Sequence, residues 1–234
     1  MPRIQVVTFD LDNTLWNVDE VIRNAERTTR AWFDSHVPEL NTTLKSEDLL
    51  AIRQRIVAER PQLTHDLSRL RQEVFARAIM AVGREAAEAQ RLAHEAFQVF
   101  LDERHKVSFF DDALEILERL ARRHHLGALT NGNANISRLG LDRFFRFAFS
   151  AADVGAAKPA PQMFHAALAH TDARADQMIH IGDNPIDDIQ GAHNLGIATI
   201  WVDLTLDRDV AAPPASRIVH RLKDIPNAIA EIEG

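Results

Sequence analysis

Residues 4–14 read IQVVTFDLDNT, a short apolar run that ends in an acidic, turn-forming sequence. Residues 4–9 are mostly β-branched or aromatic and lack the strict alternation of a half-exposed strand. They therefore predict a strand that is buried on both faces of a parallel sheet. The chain becomes polar at Asp10 and stays so through Asp12 and Thr14. Because open α/β sheets bind ligands beyond the carboxyl ends of their strands, this turn is a candidate functional site.

The rest of the chain divides into a helical stretch and an alternating stretch. Apolar residues recur at helical spacing in four segments, and no strand candidate interrupts them. These segments are residues 18–33, 49–57, 67–82 and 92–101. From Val107 onward, predicted strands alternate with predicted helices. These strands are residues 126–129, 147–149, 178–181, 197–202 and 217–219.

This alternation predicts an α/β fold with a Rossmann-like parallel sheet. The first strand has to rejoin that sheet, so the four-helix block is an insertion after it. We expect one domain to comprise residues 1–16 and 107–234, and an all-helical domain to comprise residues 17–106.

The composition excludes several classes of protein. The 234 residues include no Cys, which excludes disulfides, thiolate metal sites and thiol nucleophiles. The net charge of −7 disfavours a generic binder of nucleic acid or of anionic membranes, both of which need a basic surface. The sequence contains neither an apolar run of about 20 residues nor a secretory signal. We therefore expect a cytoplasmic protein with no nucleic-acid or membrane partner.

Polar groups follow four of the predicted strands, and together they offer carboxylates, a hydroxyl, turn amides and an ammonium group. They are Asp10, Asp12 and Thr14, then Thr130 and Asn131, then Lys158, and finally Asp183, Asp187 and Asp188. Carboxylates crowded at one sheet edge need a counter-charge, which a divalent cation such as Mg²⁺ supplies through oxygen ligands. A carboxylate nucleophile, a metal and oxyanion donors suit phosphoryl transfer to an aspartate.

Individually, several of these residues also have a purely structural interpretation. Thr14 could cap a helix, and Asp187 and Asp188 could be acids that favour the first turn of a helix beginning near Pro185. Such a role accounts less well for Asp183. The functional interpretation depends on the four groups occurring in order, each behind a strand candidate.

Taken together, the four groups resemble motifs I to IV of the haloacid dehalogenase (HAD) superfamily, and the helical insertion resembles its C1-type cap. The resemblance implies that Asp10 is the nucleophile, that Asp12 is the general acid and base, and that Lys158 neutralises nucleophile and phosphate. The remaining implied roles are phosphate binding by Thr130 and Asn131, Mg²⁺ binding by Asp10, the Asp12 main-chain carbonyl and Asp183, and support by Thr14, Asp187 and Asp188.

A narrower resemblance is carried mainly by residues 8–15, 65–71 and 130–133. These stretches are similar to those of bacterial FMN and 5-amino-6-(5-phosphoribitylamino)uracil phosphatases of riboflavin metabolism. This similarity implies a phosphatase that acts on small phosphorylated metabolites through an aspartyl-phosphate intermediate. His65, Arg69 and Arg71 are the candidate specificity residues of the predicted cap.

Other activities stay open. The dehalogenase branch of the superfamily lacks both the acid/base at the position of Asp12 and the metal, which favours a phosphatase. The phosphonatase branch uses a cap lysine, for which Lys45 is the candidate here, and a phosphomutase is a further alternative. From a different class, the chain could be a phospho-aspartate signalling module or a binding protein. Receiver modules, however, place their acidic pair and acceptor aspartate on different strands and have no helical insertion.

Overall fold

The computed structural model describes residues 4–205 and 213–234. The chain forms two compact units, one comprising Met1–Asn17 with Ser108–Gly234 and the other comprising Val18–Val107. The boundaries predicted from the sequence, after residues 16 and 106, lie one residue before these. We call the two units the core unit and the helical unit.

The described residues of the core unit form a six-stranded sheet in which every pair of neighbours is parallel. Its strands are β1 (Val6–Phe9), β2 (His125–Thr130), β3 (Phe145–Ser150), β4 (Met178–Gly182), β5 (Ala198–Val202) and β6 (Arg217–Val219). Their order in the sheet is β3-β2-β1-β4-β5-β6. The predicted parallel α/β fold is confirmed.

Strand β1 lies at the centre of the sheet, between β2 and β4. All four of its residues are buried, as its unbroken apolar character predicts. The chain order runs away from β1 in both directions, through β2 and β3 on one side and through β4, β5 and β6 on the other. The carboxyl ends of β1 and β4 therefore flank the topological switch point, where this class of sheet binds ligands.

The helical unit contains no strand, and its backbone, which is described throughout, forms five α-helices. They are α1 (Val18–His36), α2 (Pro38–Thr43), α3 (Ser46–Glu59), α4 (Leu67–Ala81) and α5 (Ala86–Arg104). The four predicted helices are all present, and α2 is an addition. It is too short to show a helical repeat in the sequence, but Pro38 opens it and Leu40 is buried within it.

Helices α1, α4 and α5 share the largest described apolar cluster of this unit. Phe33 of α1 packs edge-on against Phe75 of α4, with ring centroids 5.2 Å apart. Ala89 and Ala93 of α5 are buried in the same cluster, where small side chains let the helices approach closely. The helical unit thus has a core of its own.

Four of the described helices of the core unit lie between its strands along the chain, and the fifth follows β6. They are α6 (Ala113–Ala121), α7 (Ala151–Val154), α8 (Gln162–Thr171), α9 (Gly191–His193) and α10 (Ile225–Glu233). The helix predicted near Pro185 is instead a π-helical turn, Pro185–Gln190, which continues into α9. Among the described residues, no helix is long and apolar enough to cross a membrane.

Candidate active site

The turn after β1 is tightly bonded to itself and to β4. The Asp10 N–H donates to the Ile181 carbonyl at 2.8 Å, which extends the β1–β4 pairing by one residue. The Asn13 N–H donates to the Trp16 carbonyl at 2.7 Å. Asn13 has a φ of 60°, a left-handed conformation that asparagine tolerates better than most residues. These bonds fix the Asp10 side chain at the end of the central strand.

The ammonium group of Lys158 lies buried between two carboxylates. Its Nζ donates to Asp10 Oδ1 at 2.8 Å, to Asp188 Oδ1 at 2.6 Å and to the Leu129 carbonyl of β2 at 2.6 Å. Burial by itself would lower the pKa of Lys158, but Asp10 and Asp188 raise it above its ordinary value. Lys158 is therefore a fixed positive charge.

Asn131 holds the backbone of Lys158 in place. Its Oδ1 accepts from the Lys158 N–H at 2.7 Å, and its Nδ2 donates to the Lys158 carbonyl at 3.0 Å. The same Nδ2 also lies 3.2 Å from Asp187 Oδ2. The Asn131 side chain thus joins the ends of β2 and β4 to the segment that carries the lysine.

Three carboxylates converge beside the lysine. One oxygen each of Asp10, Asp183 and Asp188 lie within 4.8 Å of one another, close enough to share a metal ion. Burial raises the pKa of Asp10 well above its ordinary value, although Lys158 opposes this shift. Burial and the charge of Asp188 raise the pKa of Asp183 to about 6. The three carboxylates together carry more negative charge than the single ammonium group of Lys158 can neutralise.

Thr14 and Asp188 take positions that their structural interpretations do not require. The Thr14 hydroxyl donates to Asp183 Oδ1 at 3.1 Å and lies 3.5 Å from Asp10 Oδ2, so it links two strand ends. Burial would raise the pKa of Asp188, but Lys158 and His180 lower it well below its ordinary value. Asp188 is thus a buried anion in the site.

The π-helical turn explains how Asp188 turns inward. The Ile189 N–H reaches back to the Asn184 carbonyl at 3.3 Å, which widens the turn relative to an α-helix. Asn184 Oδ1 accepts from the N–H groups of Ile186 and Asp187, both at 2.9 Å, so Asn184 caps this turn. Asp188 Oδ2 accepts from the Asn184 N–H at 3.0 Å.

A cavity of about 150 Å³ opens among these strand ends. Every site residue that the sequence predicts in the core unit lines it, except Thr14. The lining residues are Asp10, Asp12, Asn13, Thr130, Asn131, Gly132, Lys158, Asp183, Asn184, Asp187 and Asp188. The Thr130 hydroxyl accepts from the Gly132 N–H at 2.9 Å, which leaves its own proton to donate.

Trp16 contacts the site, although none of the sequence motifs described above includes it. Its side chain is fully buried, and its indole Nε1 donates to Asp12 Oδ1 at 2.9 Å. The ring also packs edge-on against Phe109, with centroids 5.7 Å apart. Only its position four residues after Asp12 hinted at this contact. Trp16 therefore fixes one oxygen of Asp12.

The three candidate specificity residues lie near the start of α4 in the helical unit. His65 closes a 3-10 turn, Pro61–His65, and its Nδ1 is buried with no hydrogen-bond partner among the described residues. The Arg69 side chain is 73% exposed. The Arg71 guanidinium lies 3.8 Å from the centroid of the Phe100 ring and 3.6 Å from Glu26 Oε1. Arg71 thus has a packing role within its own unit.

Comparison with known proteins agrees with this geometry. A family model described as haloacid dehalogenase-like hydrolase matches residues 4–196. The chain belongs to this family. It is also 32% identical over 200 residues to the 5-amino-6-(5-phospho-D-ribitylamino)uracil phosphatase YigB of Escherichia coli, covering 86% of this chain and 84% of that protein. The predicted resemblance and the prediction of an enzyme are confirmed.

Two further similar proteins are named for different reactions. The crystal structure of a 2-haloacid dehalogenase from Pseudomonas syringae superposes with a TM-score of 0.94 at 39% identity, covering 97% of this chain and 99% of that one. A phosphoserine phosphatase of Thermus thermophilus is 32% identical over 155 residues, which cover 63% of this chain and 61% of that protein. The fold is therefore shared by hydrolases named for different leaving groups.

Gly182 provides a test of how tightly the cluster is packed. A Cβ atom at this position would lie 2.3 Å from the Asp188 carboxylate, so we expect Gly182→Ala to lower the free energy of unfolding by about 1–3 kcal/mol. Urea unfolding measures this change. Gly191→Ala is the comparison, and it should destabilise less, because its Cβ would meet its nearest neighbour, Pro159, at 3.0 Å. Equal stability of Gly182→Ala and the natural protein would contradict the packing described here.

Proposed function

We propose that this chain is a Mg²⁺-dependent phosphatase that hydrolyses small phosphorylated metabolites through an aspartyl-phosphate on Asp10. The observation that carries the proposal is the position of the Asp10 carboxylate. It is bound by the buried ammonium group of Lys158 and faces a cavity shared with Asp12 and Asp183. Curated relatives named as phosphatases support the same reaction class.

In this proposal the Asp10 carboxylate attacks the phosphorus of the substrate. Lys158 binds Oδ1, so Oδ2 is the oxygen that forms the new bond to phosphorus while the bond to the leaving alkoxide breaks. Asp12 donates a proton to that alkoxide. In the second step Asp12 takes a proton from water, which attacks the aspartyl-phosphate and releases inorganic phosphate.

Phosphate oxygens would be held by groups at the carboxyl end of β2. The Thr130 hydroxyl, which accepts from Gly132, can donate its proton to a phosphate oxygen. The Asn131 side chain is committed to Lys158 and Asp187, so its contribution to phosphate binding would come from the backbone N–H.

The acidic cluster suits a hard divalent cation. Asp10 and Asp183 would be the carboxylate ligands, together with the Asp12 main-chain carbonyl, and Asp188 would support them from its bond to Lys158. When bound, Mg²⁺ would neutralise phosphate charge and align the phosphoryl group with Asp10. Oxygen ligands, partial burial and excess negative charge all fit such an ion.

A dehalogenase is the second candidate, because the Pseudomonas syringae structure described above bears that name. Displacement of a halide by an aspartate needs no proton for the leaving group. This chain nevertheless places a second carboxylate, Asp12, in the cavity and fixes it with a buried indole donor. That arrangement favours a leaving group that must be protonated.

Asp10→Asn is the direct test of the nucleophile. We expect the natural protein to release phosphate from p-nitrophenyl phosphate with Mg²⁺ and to release no halide from 2-chloropropionate. The variant should lose activity by about 10³-fold or more, because the amide is a far weaker nucleophile. Asp142→Asn, at an exposed position of the same unit, is the matched control. Undiminished turnover in Asp10→Asn would exclude the proposed mechanism, and halide release would favour the dehalogenase.

Trp16→Phe tests the positioning of Asp12. Phenylalanine keeps an aromatic ring beside Phe109 but removes the donor to Asp12 Oδ1. A hydrogen bond to a charged group contributes about 1.5–3 kcal/mol, so we expect kcat to fall by about 10-fold or more with little change in KM. Steady-state kinetics with p-nitrophenyl phosphate give both constants. A larger loss of affinity than of kcat would count against this role for Trp16.

Asp183→Asn tests the cation site without an activity assay. The raised pKa of Asp183 means that its ionisation costs stability in the metal-free fold above about pH 6, and this cost disappears as the pH falls toward the unfolded pKa. At pH 7.5 we therefore expect the metal-free variant to melt at a higher temperature than the natural protein. Mg²⁺ at 100 times its Kd should stabilise only the natural protein, by about 2.7 kcal/mol. Equal Mg²⁺ shifts in both proteins would contradict the site.

The similarity to YigB supports 5-amino-6-(5-phosphoribitylamino)uracil phosphate as the substrate. FMN is the second candidate, on the motif resemblance alone. We propose that His65, Arg69 and Arg71 contribute to its selection. The buried Nδ1 of His65 has no hydrogen-bond partner among the described residues, and the Arg69 side chain is exposed. Arg71 is held by Glu26 and Phe100, so its substitution should also loosen the helical unit.

Arg69→Ala separates specificity from stability. We expect it to raise KM for the preferred metabolite several-fold and to leave both the melting temperature and turnover of p-nitrophenyl phosphate unchanged. The measurement is a Mg²⁺-containing phosphatase screen over phosphorylated metabolites. Arg91→Ala, at a similarly exposed arginine of α5, is the matched control. If both flavin-pathway phosphates rank no higher than simple sugar phosphates, the substrate assignment fails.

A further inference from the structure

A buried polar pair, His180 and Thr8, adjoins Asp188. His180 of β4 and Thr8 of β1 are paired across the sheet, and both are fully buried. His180 Nε2 lies 3.1 Å from Asp188 Oδ1, and its Nδ1 lies 2.9 Å from the Thr8 hydroxyl. A continuous line of hydrogen bonds therefore runs from Thr8 to Lys158 and Asp10.

This pair interrupts an otherwise apolar region. The neighbouring residues of β1 and β4 are apolar and buried, and Phe164 packs edge-on against the His180 ring at 5.1 Å. Buried imidazole and hydroxyl groups cost free energy unless they are hydrogen-bonded, and two apolar side chains would fill the space without that cost. The pair is best explained by what it contacts, which is Asp188.

The contacts define which nitrogen of His180 carries the proton. An ionised carboxylate only accepts hydrogen bonds, so Nε2 must be the donor to Asp188. Burial keeps the pKa of His180 below its ordinary value, so the ring is neutral and Nδ1 is an acceptor. The Thr8 hydroxyl lies 2.9 Å from Nδ1 and can donate to it, and it also lies 3.3 Å from the Ile179 carbonyl. The Asp188 carboxylate therefore selects the tautomer, and the Thr8 hydroxyl is compatible with it.

Asp188 Oδ1 accepts from both His180 and Lys158. Two donors on one oxygen, with the Asn184 N–H on the other, leave the carboxylate a single orientation. Without the His180 donor, Asp188 would keep only the Lys158 and Asn184 donors, so its carboxylate would be held less tightly, and with it the alignment of Lys158 on Asp10 Oδ1. Substitution of His180 would therefore affect the proposed nucleophile, Asp10, through Asp188 and Lys158.

We infer that His180 is a positioning residue, supported by Thr8 at its other ring nitrogen, and that it holds Asp188 so that Lys158 is aligned on Asp10. This inference rests on the proposed function for its effect on turnover, although the hydrogen-bonded line itself does not depend on it. His180 reaches the cavity through its hydrogen bond to Asp188, one of the lining residues. Its loss should lower kcat and leave KM nearly unchanged.

Three substitutions distinguish the effect of the His180 hydrogen-bond donor from the effect of the volume that its side chain fills. His180→Gln can place an amide N–H near the position of Nε2, whereas His180→Leu fills a similar volume without a donor. Thr8→Val keeps the shape and removes the hydroxyl. With p-nitrophenyl phosphate and Mg²⁺, we expect His180→Leu to lower kcat by about 10–100-fold, Thr8→Val to lower it less, and His180→Gln to stay within a few-fold of the natural protein. His165→Gln, at an exposed position of α8, is the control.

A second readout tests the inference even if the chain hydrolyses no phosphoester. The buried Lys158 ammonium group should give a ¹⁵N-resolved NMR signal, assigned by its loss in Lys158→Arg. We expect this signal to shift or broaden in His180→Leu and to be retained in His180→Gln. An inactive natural protein with this NMR pattern would exclude the proposed function and support the positioning role. An unchanged signal in His180→Leu, or an active enzyme whose kcat is the same in all three variants, would overturn the inference.

Discussion

The ion pairs of Lys158 are the interaction on which the site depends. Removing an ammonium group and two carboxylates from water is costly, and such a cluster persists only where its geometry and additional hydrogen bonds are good. Here the ammonium group has three acceptors: Asp10, Asp188 and the Leu129 carbonyl. Removing the lysine charge would leave two buried carboxylates without compensation. The arrangement therefore constrains three strand ends at once.

Much of the local structure serves to keep this cluster in place. The Asn131 side chain holds the Lys158 backbone, and the π-helical turn brings the Asp188 carboxylate inward. Gly182 leaves the space that this carboxylate occupies. Even so, three carboxylates and one lysine leave an excess of negative charge, and burial together with the charge of Asp188 raises the pKa of Asp183. Such a cluster is suited to binding a cation, because the ion would offset the charge of the carboxylates.

The sequence predicts the sheet and the composition of the cavity well, because both follow from local patterns. A buried strand followed by polar residues can be recognised four times along the chain, and parallel strands bring those ends together. The roles of Trp16, Thr8 and His180 could not be predicted in this way. Thr8 has the β-branched side chain of an ordinary strand residue, and His180 lies eight residues from Asp188 but only 3.1 Å from it in space. Such contacts depend on register and side-chain orientation, which composition and periodicity do not specify.

Individual side-chain contacts, and not the fold, also identify the reaction. Hydrolases named for phosphate esters and for haloacids share this architecture, one of them with a TM-score of 0.94, so backbone similarity does not identify the leaving group. What discriminates is whether a proton donor stands beside the nucleophile. Asp12 lines the cavity, and an indole donor buried four residues later in the chain holds one of its oxygens. A buried tryptophan that orients a carboxylate is unnecessary for halide loss, whereas departure of an alcohol requires a proton. The Asp12–Trp16 pair is thus a more specific indicator of the chemistry than the fold that supports it.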